Sequence, residues 1–371
     1  MSDTTDDPRL TALVRSLPST VPFVAPETLE AQRGAPFDAR LGANELSYGP
    51  APAAVAAMKA AVGGIWKYGM ADNAPLARAL SEHYGIDHAH FTIGEGIDGL
   101  LGNLVRLFVE RGDAVVTSAG SYPTFNYHVA GFGGTIHAVP YRDLLEDPDA
   151  LIAKARETGA KLVYISNPNN PMGGAHSATR IEAMIEALPD GCLMVLDEAY
   201  TEFADAATRP ALEPMDPRVI RFRTFSKAYG MAGARVAYGI THPEIAAAFD
   251  RVRNHFGVNR IAVAGAVASL AEQDRLADIV ARIKAGREEL AEIAKAHGLS
   301  PRPSQTNFVA MDTHRDGAFA RALVAELDRR GVFIRMPGVA PLNSHIRVSV
   351  GTPEEIAIFA SRLGPALNAI G

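Results

Sequence analysis

The chain has 371 residues, of which 47% are hydrophobic and 21% charged; this excludes a disordered chain and allows two or three domains with a sizeable core. A formal net charge of -6 gives no basic stripe for nucleic acid or acidic lipid, so small molecules are the expected partners. One cysteine, Cys192, excludes an internal disulfide and every multi-cysteine metal centre, and fits a reducing compartment.

The first seven residues are acidic and polar where a secretory signal needs a basic start and an apolar stretch. No run approaches the roughly 20 apolar residues of a membrane span, so a cytoplasmic protein is expected. Pro18, Pro22, Pro26 and Pro36 break the next stretch, which reads as an extended arm of the kind that packs on a neighbouring subunit. From about Pro50 onward, helical patterns alternate with β-rich runs at 114–117, 161–166, 193–196, 219–222 and 236–240. These runs are continuously apolar more often than alternating, as in a mainly parallel sheet covered by helices on both faces. Cys192 opens one of them and reads as a packing residue.

Ahead of an apolar helix over 100–109 lies Gly94-Glu95-Gly96-Ile97-Asp98-Gly99, a glycine-rich turn whose backbone N–H groups at Gly96, Ile97 and Asp98 can face an anion. Beyond about residue 260 the texture changes to a helix over 273–297, a strand at 308–311, a helix over 317–330, strands at 332–334 and 346–350, and a closing helix after Thr352. That order predicts a small α+β domain. The expected division is an arm with part of the small domain over 1–48, a large domain over 49–260 and a small C-terminal domain over 261–371.

Three polar islands follow three of the predicted strands: Asn167-Pro168-Asn169-Asn170-Pro171, Asp197-Glu198-Ala199-Tyr200, and Thr224-Phe225-Ser226-Lys227-Ala228-Tyr229-Gly230. In an open α/β sheet, ligands bind outside the carboxyl ends of the strands, so all three should face one pocket. With Asn44-Glu45, Tyr48-Gly49-Pro50, Gly233, Arg235 and Ile346-Arg347-Val348 before Gly351-Thr352, these motifs make the chain resemble the class I/II aminotransferases of fold type I, and within them the histidinol-phosphate aminotransferases and their relatives. The resemblance runs from about Asn44 to the end.

The resemblance implies a cofactor, pyridoxal 5'-phosphate, held covalently through the ε-amine of Lys227, with Asp197 against its ring nitrogen. It implies that Asn170 and Tyr200 bond the ring's phenolic oxygen and that Tyr122 stacks on the ring face. The phosphate would rest on Gly96, Ile97 and Asp98, on the hydroxyls of Thr224 and Ser226, and on Arg235. Tyr68 resembles the tyrosine that reaches the phosphate from the opposite subunit of a homodimer. For substrate, Arg347 matches the arginine that grips a carboxylate as a bidentate fork, Arg335 is a candidate for a second anionic group, and Asn44, Asn170 and Asn307 match positions near the pocket. No histidine stands at metal-ligand spacing, and His297 reads as solvated.

The implied activity is a ping-pong transfer of an amino group from an amino donor to a 2-oxo acid, with 2-oxoglutarate the expected acceptor. Some positions depart from the family pattern: Ile97 stands where many members have serine or alanine, Leu46-Ser47 where Asn-Pro is usual, Met172 where threonine is usual, and His255 where the histidinol-phosphate enzymes have proline. These leave an aromatic or other amino acid open as donor. A fold type I decarboxylase or lyase, against which Arg347 argues, and a non-catalytic sensor built on an aminotransferase body are the other readings.

Overall fold

The computed structural model describes residues 7–18, 24–212 and 215–371; the acidic start at 1–6 and Pro22 lie outside the described residues. The expected extended arm is partly helical. Thr11 caps α1 (Ala12–Ser16) by accepting the Val14 N–H, and α2 (Pro26–Arg33) starts with its proline in the first turn and closes on Gly34 at φ 73°. Proline's fixed φ and missing N–H suit a first helical turn, so the residue that looked like a breaker is a start signal. The short strand β1 (Ala39–Arg40) then pairs in parallel with Val332 and Phe333, near the far end of the chain.

Helices α3 (Pro52–Val62) and α4 (Ala74–Tyr84) precede the main sheet. Its strands are β2 (Phe91–Gly94), β3 (Ala114–Ser118), β4 (Thr135–Val139), β5 (Leu162–Ser166), β6 (Leu193–Asp197), β7 (Val219–Thr224) and β8 (Ala237–Ile240), in the spatial order β2-β8-β7-β6-β5-β3-β4. Neighbours from β7 to β4 run parallel, and β8 is antiparallel to both β7 and β2. Between the strands lie α5 (Gly96–Phe108), α6 (Pro123–Gly131), α7 (Pro148–Thr158) and α8 (Ala178–Glu186).

Alternate strand residues explain the continuous apolar runs. Val115, Leu162, Tyr164, Val195, Ile220 and Phe222 pack with α5 and α6 on one face, while Val116, Val163, Ile165, Met194 and Leu196 pack with α7 and α8 on the other. With both faces covered, successive side chains are all buried although they point in opposite directions. Cys192 belongs to the second face, where burial pushes its thiol up to about 11.

The rest of the chain supplies α9 (Pro243–Ala248), α10 (Arg260–Leu270), α11 (Gln273–Ala296), β9 (Ser300–Pro301), β10 (Phe308–Asp312), α12 (Gly317–Arg329), β11 (Val332–Phe333), β12 (His345–Ser349) and α13 (Pro353–Ile370). Strand β10 is central in an antiparallel sheet ordered β12-β10-β9. Thr352 caps α13 and Glu355 bonds back to it, a reciprocal pair that fixes where the last helix begins. His297, expected in solvent, is half-buried with its ring Nδ1 2.9 Å from the Ile293 carbonyl. A histidine beside the last carbonyls of a helix satisfies an acceptor that would otherwise be orphaned.

Candidate active site

The carboxyl ends of β5, β6 and β7 open into a cavity of about 570 Å³. It collects Asn44, Ile97, Asp98, Tyr122, Asn170, Asp197, Tyr200, Thr224, Ser226, Lys227, Arg235, Arg335 and Arg347 from across the chain. All three polar islands therefore meet, as parallel strands with a common direction require.

Lys227 lies just past β7 in a half-buried position, and its Nζ donates to the Asn44 carbonyl at 3.2 Å. Burial, with the nearby charge of Arg347, pushes its amine down to about 8. An amine in that range is neutral often enough near neutral pH to act as a nucleophile or base. Asp197, the last residue of β6, is buried. Burial raises its carboxyl, and hydrogen bonds oppose that rise: the Tyr164 hydroxyl donates to Oδ2 at 2.6 Å and the Ala199 N–H to Oδ1 at 3.0 Å.

Asn44 ties several walls together from a left-handed backbone position at φ 54°. Its Nδ2 donates to the Tyr200 hydroxyl at 2.9 Å, its Oδ1 accepts from Ser349 Oγ at 3.1 Å, and its carbonyl accepts from both Lys227 and Asn307. Asn307 is fully buried, so its amide fastens the Asn44 turn and does not line the cavity.

At one end of the cavity α5 begins at Gly96, four residues earlier than the predicted 100–109, so Gly96 and Gly99 belong to the helix while Gly94 ends β2. Ile97 and Asp98 follow in the first turn, where N–H groups have no helical partner. Arg235, exposed and at φ 55°, lies over that turn; a methyl on Gly96 would overlap its guanidinium. Arg235 Nη1 donates to Ser226 Oγ at 3.4 Å, and Thr224 Oγ1 lies 2.9 Å from the same oxygen. The Asp98 carboxylate is turned to His128, 2.7 Å away on α6. A helix N-terminus, hydroxyls and a guanidinium make an anion cradle.

At the other end Arg347 donates to Asn170 Oδ1 at 2.6 Å and to the Gly42 carbonyl at 3.3 Å. Its Nε is buried without a hydrogen-bond partner, and burial pushes the guanidinium down to about 10, still charged at neutral pH. Arg335 is bridged to Arg347 main chain to main chain and donates to the Val24 carbonyl at 2.6 Å. Met336, Pro337, Gly338 and Val339 continue the wall from there.

Tyr68 is not brought in. It is 79% exposed, with its ring tilted against that of Phe256 at 4.7 Å, and outside the cavity of its own chain. His255 is also exposed and outside, and Met172 is buried against Ala310 and Leu342, so that departure is a packing choice.

Sequence reasoning missed Tyr164 and Glu146. Tyr164 was hidden in an apolar run, its only signal being a hydroxyl two residues before Ser166. Glu146 is buried and accepts from Ser118 Oγ, Ser166 N and Oγ, and Asn169 Nδ2, which fixes the loop carrying Asn170. It stands among Asp143, Asp147 and Asp149 in the loop before α7, where nothing in the local pattern singles it out. Among the described residues no cluster of metal-ligating side chains occurs, and no helix is long and apolar enough to cross a membrane.

The profile of the family "Aminotransferase class I and II" matches residues 39–363. The chain is 35% identical over 356 residues to a histidinol-phosphate aminotransferase of Symbiobacterium thermophilum, covering 96% of this chain and 98% of that protein. It is 35% identical to histidinol-phosphate aminotransferase 1 of Nitrosococcus oceani, covering 92% of each. Among solved structures, histidinol-phosphate aminotransferase from Sinorhizobium meliloti in complex with pyridoxal-5'-phosphate superposes with a TM-score of 0.95 at 49% identity, over 98% of this chain and 99% of that one. Aspartate aminotransferase of Thermus thermophilus with maleate, at 21% identity and a TM-score of 0.80 over 96% and 99% of the chains, shares the fold.

Proposed function

We propose, on the premise that this chain belongs to the aminotransferase class I and II family and is a fold type I, pyridoxal-phosphate-dependent transaminase, that its amino donor is histidinol phosphate and its acceptor 2-oxoglutarate. The observation that carries the donor is the Arg335–Arg347 pair, two guanidiniums on neighbouring backbone positions that open into one cavity. A dianionic group such as a phosphate monoester takes both, and so do the two carboxylates of glutamate in the return half-reaction.

The cavity fits the cofactor: an amine, a buried carboxylate and an anion cradle line the same space, and the orphaned Arg347 Nε leaves a donor for the substrate. When bound, pyridoxal phosphate supplies an electron-withdrawing ring that stabilises negative charge on the carbon bearing the amine. Lys227 would hold it covalently and, once freed by the incoming amine, move the proton at the substrate carbon. Its depressed basicity suits that task near neutral pH. Asp197 would keep the ring nitrogen protonated, Asn170 and Tyr200 would bond the phenolic oxygen, and Tyr122 would cover the ring. The cradle of Gly96, Ile97, Asp98, Thr224, Ser226 and Arg235 would take the phosphate.

The working form proposed is a cytoplasmic homodimer in which Tyr68 completes the neighbouring cavity. Ile65, Trp66, Tyr68, Met70 and Phe256 are all more than half exposed, and a group of large apolar side chains is what a partner surface covers. We divide each chain into the arm with part of a small domain over 1–48, a large domain over 49–260 and the small C-terminal domain over 261–371.

The deciding experiment is a donor screen with 2-oxoglutarate, reading glutamate formed. Histidinol phosphate should give the highest kcat/KM. An aromatic amino acid doing better would overturn the donor, and carbon dioxide release without glutamate would point to a decarboxylase.

A further inference from the structure

We propose that Tyr164 is a positioning residue for Asp197: its hydroxyl holds Oδ2 and keeps that carboxylate charged and aimed into the cavity. The inference rests on the reading of Asp197 as the partner of the cofactor's ring nitrogen.

Residues Tyr164 and Val195 are directly opposed in the parallel β5–β6 pair, and Asp197 lies two residues further on, opposite Ser166. That serine's hydroxyl donates to Glu146 instead, whereas the Tyr164 phenol reaches Asp197 diagonally along the strand. The hydroxyl arrives at 2.6 Å from Oδ2, while the Ala199 N–H holds Oδ1 at 3.0 Å. Each carboxylate oxygen thus has one donor, and both side chains line the cavity. Tyr164 cannot swing away: it is fully buried and its ring stacks on Phe125 of α6 at 4.7 Å and 18°.

This arrangement answers a physical problem. Asp197 is buried, and burial favours the neutral acid. The charged groups that face it are Lys227 past β7 and Glu198 on its own turn, with the phenols of Tyr122 and Tyr200 nearby. Lys227 favours the anion only while its amine is free and protonated, and Glu198 disfavours the anion. Tyr164 is then the side chain whose support for the carboxylate does not change through the reaction.

Tyr164→Phe keeps the ring and its stack on Phe125 and removes only the hydroxyl, so folding, read as an unchanged thermal midpoint within a few degrees, should survive. The apoprotein is titrated with pyridoxal phosphate across pH, and donor kcat and KM are measured on the loaded enzyme. In Tyr164→Phe, cofactor affinity on the acid side should fall away about one pH unit higher than in the parent, and kcat should drop roughly tenfold with donor KM nearly unchanged. Asp197→Asn should lose more, and adding Tyr164→Phe to it should change affinity less than twofold, because the hydroxyl then has no carboxylate to act through. If Asp197→Asn weakens the cofactor but Tyr164→Phe alone does not move the acid limb, or if its effect persists in full beside Asp197→Asn, the proposal for Tyr164 is wrong. If Asp197→Asn itself binds the cofactor and turns over like the parent, it is the reading of Asp197 that fails.

Discussion

The guanidinium of Arg347, on β12, donates to the side-chain oxygen of Asn170, in the loop after β5, at 2.6 Å across the cavity. Residues 177 positions apart in the chain thereby share one hydrogen bond, and a strand of the C-terminal sheet is tied to the main sheet at the point where a substrate anion would bind. In the proposed substrate site, an entering anion would compete with Asn170 for this guanidinium.

Arg347→Lys should show how much of this depends on the fork. A lysine keeps the charge but cannot grip Asn170, the Gly42 carbonyl and an anion together. Losing hydrogen bonds to a charged group costs about 1.5–3 kcal/mol, so donor kcat/KM should fall roughly 10- to 150-fold. Steady-state kinetics, with cofactor affinity unchanged in a parallel titration, checks this; an unaffected kcat/KM would remove Arg347 from the substrate site.

The lowered pKa of Lys227 makes two predictions about the apoprotein. Only the neutral amine attacks an aldehyde, so the rate of pyridoxal-phosphate incorporation should rise with pH and level off above about 8. For stability, the group's folded pKa, about 8, lies below its ordinary value of 10.5. Between those values the unfolded chain holds a proton that the folded one lacks, so this group makes the apoprotein more stable as pH rises through that window. Lys227→Met should abolish incorporation and flatten this contribution in thermal melts.

Gly96→Ala tests the anion cradle. Gly96 sits at φ 74° and an added methyl would overlap the Arg235 guanidinium. The left-handed conformation costs a residue with a side chain about 1–2 kcal/mol, and displacing Arg235 should weaken pyridoxal phosphate by a further factor on the order of ten. Equilibrium dialysis and a chemical unfolding curve separate the two effects. Equal cofactor affinity in the variant would argue against phosphate binding at this turn.

Glu198 governs acid stability beneath the site. Its carboxylate is buried between Arg221 at 2.5 Å and Arg223 at 2.8 Å. Although burial opposes ionisation, the two arginines bring its pKa down to about 2 from 4.5. A depressed carboxyl contributes stability that is fully present above its unfolded value and is lost as pH falls from about 4.5 towards 2. Glu198→Gln would strand two buried cations and should cost about 3–5 kcal/mol at neutral pH, with a weaker dependence of unfolding free energy on pH in the acid range.

Much of the frame was legible from local pattern. The apolar runs that became β3, β5, β6 and β7 were readable because strands buried on both faces lose the polar half of their alternation. The C-terminal elements were readable because α11, α12 and α13 are long, and α12 and α13 start on the capping side chains of Asp316 and Thr352. Less legible was β4, with exposed and half-buried residues in place of a continuous apolar run. The arm was misread because proline signals a helix start as readily as a break.

Motif order along the chain placed most of the cavity's residues, since a lysine, a carboxylate and an asparagine at the ends of successive parallel strands must share one edge of the sheet. What local sequence could not decide is which side chains meet across strands and between sheets: Tyr164 with Asp197, Glu146 with Asn169, Arg347 with Asn170. Such contacts depend on register, on the diagonal reach of long side chains and on where β12 comes to rest. Those are set by packing of the whole chain, not by the identity of neighbours along it. The sequence alone specified the chemistry available at the strand ends; the tertiary fold decided the partners, because hydrogen bonds and buried charges act over a few ångströms in space whatever their separation in the chain.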